Sequence, residues 1–167
     1  MNIAVARNVR LALLLGLVVL AFSAGSATAS DPMLAGMREV KIAFDITAGE
    51  PPRLLSILNV IDETRDGFIR QGIAPRIILA FRGPATVLLR ADQAAVKPED
   101  RETVAKVAAK IRELRGASGV EQVAVCNIAM RLTKTPKEQL VPDVTVVENG
   151  WYTLVGAQAK GYAYIAP

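Results

Sequence analysis

The feature that most restricts how this chain can fold is an alternation between two hydrophobic patterns. Short runs rich in β-branched residues, over 40–46, 76–81, 121–126 and 143–147, take turns with longer segments whose apolar residues recur at helical spacing. The run Arg76–Phe81 is apolar enough to be covered on both faces, as parallel strands are. No hairpin signal joins the runs, since a helical pattern follows the one Asn149-Gly150 pair. The order strand, helix, strand, helix therefore predicts an α/β fold with a mainly parallel sheet between helical layers.

Local signals set the expected helix boundaries. Pro51 and Pro52 suit a first helical turn, where N–H groups are unpaired anyway, and Leu54, Ile57, Leu58, Ile61 and Phe68 then share one side up to a stop at Gly72. Pro98 with Glu99, Asp100 and Glu102 opens a second helix, because acids in the first turn face the positive end of the helix dipole. Val104, Val107, Ala108, Ile111 and Leu114 form its buried stripe, and Gly116 ends it. A short helix is expected over 127–132. Thr135-Pro136-Lys137-Glu138 has the form of a capping box and predicts another short helix. Asn149 is placed to cap a last helix running to about Gly161, and 162–165 reads as an edge strand. The segment Ala85–Leu89 is apolar but has no assignable period, and Gly116-Ala117-Ser118-Gly119 reads as a helix stop and turn.

The amino terminus has a different character. Arg7 and Arg10 precede an apolar run from Leu11 to Phe22, and Ala27-Thr28-Ala29 follows as a small-residue site. Those are the three parts of a secretory signal peptide, and the run is shorter than the roughly 20 residues a membrane-spanning helix needs. The expectation is cleavage after Ala29, a single domain over 30–167, and a periplasmic or secreted protein with no membrane association after cleavage. Loss of the two arginines lowers the formal charge from the whole-chain value of +4 to +2. Without a basic face or interleaved aromatics, no nucleic-acid partner is expected.

Two absences narrow the chemistry further. The chain has no histidine, which removes the usual Ser-His-Asp and Cys-His nucleophile arrangements and most zinc sites. It has one cysteine, Cys126, so no intrachain disulfide can form. There is no Walker-type loop and no G-x-G-x-x-G element, and neither a cofactor nor a metal is expected.

Chemistry in open parallel sheets gathers at the carboxyl ends of the strands, where Asp45, Arg82 and Cys126 all fall. Cys126, at a strand end before a helix, is either a reactive thiol favoured by the helix's positive pole or a small apolar filler of the core. Arg82 is a candidate to stabilise a thiolate or hold an oxyanion, and otherwise a solvated turn residue. Asp45 is a possible orienting acid or a loop cap. The acids Asp62, Glu63 and Asp66 read as a solvated helix face. Trp151 and Tyr152 suit a pocket, a subunit interface or an ordinary core position.

Three stretches together resemble the DsrE/DsrF-like family. AFRGPATVLL is similar to its strand, small-Gly-Pro turn and apolar helix; GVEQVAVCNIAM to its Gly-Val strand ending in cysteine; PDVTVVENGWYTLVGAQAKGYAYIAP to its carboxyl end with a Gly-Tyr-Ala-Tyr-Ile-x-Pro terminus. The similarity runs from about Val40 to Pro167. It implies a flavodoxin-like three-layer α/β fold and association of identical chains into trimers or hexamers. It also implies a cysteine, here Cys126, that accepts sulfane sulfur as a persulfide from a donor protein and hands it to an acceptor; Arg82 and Asn127 are the substrate-binding candidates beside it. Arg82 stands where members commonly have histidine. Asn127 follows the cysteine directly, whereas members have asparagine two places on, where this chain has Ile128. The alternative is a non-catalytic oligomeric binding or assembly module of the same fold, with Cys126 packed in its core.

Overall fold

The computed structural model describes residues 31–91, 96–142 and 144–167; the expected signal peptide, and with it the expected domain start at residue 30, lies outside these. Five strands, β1 (Glu39–Ile46), β2 (Ala74–Phe81), β3 (Val120–Cys126), β4 (Thr145–Val147) and β5 (Ala163–Ile165), form one sheet in the order β4-β3-β2-β1-β5. Every neighbouring pair is parallel. Helices α1 (Pro51–Arg70), α2 (Arg101–Gly116), α3 (Asn127–Leu132) and α4 (Gly150–Ala159) connect them. This is the α/β class that the alternating periods predict, with parallel pairing throughout.

Strand side chains alternate between faces, and the two faces differ. On β1 and β2, Ile42, Phe44 and Ile46 with Ile77, Leu79 and Phe81 meet Leu54, Leu58 and Ile61 of α1 and the α2 stripe Val104, Val107, Ile111 and Leu114 in the main core. Fully burying side chains of this size stabilises the fold by about 1.5–3 kcal/mol each. The opposite face carries Ala43, Ile78 and Ala80, against which Leu154 and Ala157 of α4 and Tyr162 pack. Small residues in the middle of that face let α4 lie close. With ten residues α4 leaves both ends of the face open, towards the amino and the carboxyl edge of the sheet.

Most local signals act as the sequence predicts. Pro51 and Pro52 occupy the first turn of α1, and Gly72 follows its end with a φ of 74°, a conformation that only glycine adopts without strain. Asn149 caps α4, its Oδ1 accepting from the Trp151 N–H at 3.0 Å. The helix stops at Ala159, a little short of the expected end. β5 is the expected edge strand and pairs with β1. The fourth strand is shorter than its apolar run, and Asp143 lies outside the described residues.

Two expectations are corrected, and one unassigned segment takes a definite form. The unassigned Ala85–Leu89 segment is part of a 3-10 helix, Gly83–Leu89, with Ala85, Thr86, Leu88 and Leu89 buried. The capping box at Thr135 does not form: Lys137–Gln139 is a single 3-10 turn with no side-chain cap. Thr135 is instead buried, its hydroxyl 3.0 Å from that of Thr133, which lies 3.0 Å from the hydroxyl of Thr86. Satisfying a buried hydroxyl outweighs capping an exposed turn. Finally, Asp62 is not on a solvated face. It accepts from Lys110 Nζ at 3.1 Å and from Arg65 Nε at 3.1 Å, joining α1 to α2.

Candidate functional site

The carboxyl edge of the α4 face brings together side chains far apart in sequence. Asp45, two positions beyond Ala43 on β1, points to the same face, and Arg82 continues the ladder beyond β2 through its N–H to the Ile46 carbonyl at 2.9 Å. The guanidinium of Arg82 donates from Nε to Asp45 Oδ1 at 2.7 Å and from Nη2 to Oδ2 at 2.5 Å. Asp45 is 4% exposed, so this two-pronged pair operates largely out of water. Hydrogen bonding to Asp45, opposed by burial and aided by the carboxylate's charge, holds Arg82 charged more firmly than usual.

Two partners absent from the sequence-based site complete the clamp. The Tyr164 hydroxyl donates to Asp45 Oδ2 at 2.8 Å, and that hydrogen bond raises the Tyr164 pKa above its ordinary value. Gly150 lies against the other side of Arg82. A Cβ there would sit 2.6 Å from Arg82 Cδ, 2.7 Å from its Cγ and 3.2 Å from Cys126 Cβ. Only glycine permits that approach, because real Cβ atoms do not come so close. Trp151, the next residue, lies over the guanidinium with 5.5 Å between Cζ and the ring centre, a cation–π arrangement.

Cys126 is the residue at which β3 ends and α3 begins, and it is 5% exposed. It lies at the wall of a cleft of about 410 Å³, a volume in the range of small-molecule sites. Pro84, Ile128, Ala129, Leu132 and Trp151 supply an apolar lining, and Arg82 and Cys126 the reactive-looking groups. Gly83 turns the chain into this lining with a φ of 53°.

Asp45, Arg82 and Cys126 therefore meet at the carboxyl edge, as their positions at strand ends suggest. Asn127 does not join them. It lines a separate depression with Met130, Arg131 and Lys134, and Ile128 faces the Cys126 cleft in its place. Trp151 is 61% exposed and Tyr152 67%, which rules out the core position considered for them. Tyr164 and Gly150 had faint signals in the sequence. Tyr162 and Tyr164 stand two apart in a predicted strand, hence on one face, and Gly150 follows a capping asparagine where a larger residue is tolerated in most helices.

A roomier cleft of about 790 Å³ lies at the other end of the same face, lined by Lys41, Arg76, Glu121, Lys160 and Tyr162 among others. It is polar and distant from Cys126. There Tyr162 donates to Glu121 Oε2, and Arg76 Nε donates to Oε1 at 2.5 Å. Glu121 is the extra residue of an irregular β2–β3 register, in which Ile77 pairs with Val120 and Ile78 with Gln122. Among the described residues no group of three His, Cys, Asp or Glu side chains is arranged to hold a metal ion, and no helix is long and apolar enough to cross a membrane.

Fold and cleft define a class: a three-layer, all-parallel α/β protein with a cysteine-walled apolar cleft at the carboxyl edge. The chain is similar to the solved structure of a protein of unknown function, MTH1491 from Methanobacterium thermoautotrophicum. The TM-score is 0.59 at 22% identity over 77% of this chain and 99% of that one, a likeness of fold. The ychN protein from E. coli aligns with a TM-score of 0.47 at 11% identity, over 78% of this chain and 99% of that chain. An uncharacterized protein of Aquifex aeolicus (strain VF5) is 25% identical over 126 residues, 75% of this chain. The chain spans 55% of that relative's length. No family model matches the chain.

Proposed function

We propose that this is a DsrE/DsrF-like sulfur carrier in which Cys126 receives sulfane sulfur. The observation that carries the reading is the position of Cys126 at the wall of a ligand-sized cleft, beside a clamped arginine, rather than in the middle of the core. In the step envisaged, the Cys126 thiolate attacks the terminal sulfur of an organic persulfide, R–S–SH. An Sγ–S bond forms and the donor's S–S bond breaks. The donor leaves as the thiolate R–S⁻, and the proton stays on the transferred sulfur, so no outside oxidant or reductant is consumed. Backbone N–H groups in the first turn of α3 are the donors proposed to stabilise the negative charge that develops. Passing the sulfur to an acceptor thiol is the same exchange in reverse.

Weighing the reduced protein after incubation with an organic persulfide tests this. A gain of one sulfur atom on the peptide containing Cys126, removed by a reductant and missing from Cys126→Ser, is the expected result. No gain at that peptide refutes the carrier reading.

A second observation favours assembly of identical chains. The segment Gly150–Ala159 contains no charged residue, and Trp151, Tyr152 and Val155 stand exposed on one side of it. A helix apolar on both sides suits burial on both sides, so a trimer or hexamer built through this face is proposed. Light scattering should give a mass several times that of one chain, and Val155→Glu should reduce it. Export is proposed from the signal-like residues 1–29 alone. Ser30 as the first residue of protein purified from its own host would support it, and Met1 would refute it.

A further inference from the structure

The charge of the Cys126 cleft is settled by a residue outside it. Arg82 is the one charged side chain among the described residues lining the cleft. Two of its nitrogens are bound by Asp45, its stem lies against Gly150, and Trp151 lies over its guanidinium. The other polar side chains of the lining, Asn149 and Thr133, carry no charge. Asn149 Oδ1 accepts from the Trp151 N–H, and the Thr133 hydroxyl is within 3.0 Å of those of Thr86 and Thr135 and donates to the Ala129 carbonyl at 2.9 Å. The nearby cations Arg131, Lys134 and Lys137 line the separate depression that contains Asn127. A charged ligand entering the cleft would therefore lose its hydration and find no free counter-charge, a costly exchange. An uncharged ligand would lose little and would cover apolar surface.

We propose that this cleft selects uncharged, apolar ligands, such as small organic sulfur compounds, over anionic ones, and that Asp45 sets the preference by consuming the charge of Arg82. The inference rests on the reading of the cleft as the functional site. Asp45 does not touch the ligand. It acts as a specificity residue through Arg82, and Tyr164 steadies it from the far side. If Asp45 loses its charge, Gly150 and Trp151 still confine Arg82 beside the cleft, and its positive charge is uncovered.

The test uses Cys126→Ser protein, which cannot exchange sulfur, and reads binding through quenching of Trp151, the single tryptophan of the chain. The probes are diethyl disulfide and dithiodipropionate, which carries the same ethyl groups with a carboxylate on each. Diethyl disulfide should bind at least about tenfold more tightly, as expected when a charge must be desolvated without a partner. Adding Asp45→Asn should shrink or invert that ratio, and Arg82→Gln should not. Equal or tighter binding of the dicarboxylate to the Asp45-containing protein overturns the inference, and so does quenching by neither probe. If the preference is found while wild-type Cys126 gains no sulfur, the carrier reading fails and the selectivity stands. If sulfur is gained and no preference is seen, the reverse holds. Should Asp45→Asn not fold, the ratio measured with Asp45 in place still decides the selectivity, and a preference lost in Arg82→Gln overturns the role given to Asp45.

Discussion

The two ends of the α4 face are built from the same parts and behave differently. At the carboxyl end Tyr164 and Arg82 converge on Asp45; at the amino end Tyr162 and Arg76 converge on Glu121. Both tyrosines come from the closing Tyr-Ala-Tyr segment, Tyr164 within β5 and Tyr162 just before it. The side chains of Asp45 and Arg82 are 5% and 19% exposed, whereas those of Glu121 and Arg76 are 33% and 43% exposed. A tyrosine, an arginine and a carboxylate thus form a shielded clamp beside an apolar cleft in one place and a wet surface network in the other. Burial, rather than residue type, decides which pair matters energetically.

Removing the two carboxylates should give the widest separation. Asp45→Ala leaves Arg82 without its partner in a mostly buried position and is expected to cost about 3 kcal/mol in urea unfolding, the lower part of the range for a broken buried pair. Glu121→Ala should cost much less, and its effect should fade with added salt, which Asp45→Ala should resist. Similar losses from the two substitutions would break the comparison.

The glycines of α4 sharpen it at the next level down. Gly150→Ala places a methyl group against Arg82 and Cys126 and should destabilise by about 1–3 kcal/mol while shifting Trp151 fluorescence. Gly156 borders the amino-end cleft, and a Cβ there meets nothing within 4 Å. Gly156→Ala should stabilise by about 0.4–1 kcal/mol, because it restricts the unfolded chain without a clash.

The smallest expected effects are in pH. Burial works to raise the Glu121 pKa, but hydrogen bonds from Tyr162 and Arg76 and the charge of Arg76 more than offset it, so the value lies below that of an ordinary glutamate. Its contribution is therefore complete above the ordinary glutamate range and is lost as pH falls through the depressed folded value. Glu121→Gln should flatten that part of the acid limb. Tyr164 has the opposite sign. Its raised pKa makes its contribution complete below the ordinary tyrosine range, near pH 10, and lost as pH rises through the folded value. Tyr164→Phe should flatten part of the alkaline limb of the stability profile.

Much of this arrangement was legible in the sequence, because periodicity is local. The α2 stripe is buried as its spacing requires, and α3 spans the six residues expected of it. The carboxyl-edge position of Asp45, Arg82 and Cys126 followed from their places at strand ends. Contacts set by strand order were not legible: Tyr164 reaches Asp45 across 119 positions because β5 pairs with β1, and nothing local announces that pairing. Gly150 is demanded by the distance between α4 and Arg82, a quantity no local pattern encodes. The Thr135 misreading has a physical cause as well, since a capping motif describes an exposed turn and the burial of Thr135 comes from tertiary packing.

The central claim is that the carboxyl end is an open working site and not a sealed core. Labelling of native Cys126 by a small uncharged thiol reagent, followed across low urea concentrations, tests it most directly. The account predicts labelling far faster than global unfolding, with a rate nearly independent of urea in the native range, as expected for a group reached through a cleft. A labelling rate that rises with urea along the global unfolding curve would mean that Cys126 reacts only after the protein unfolds, and would contradict it.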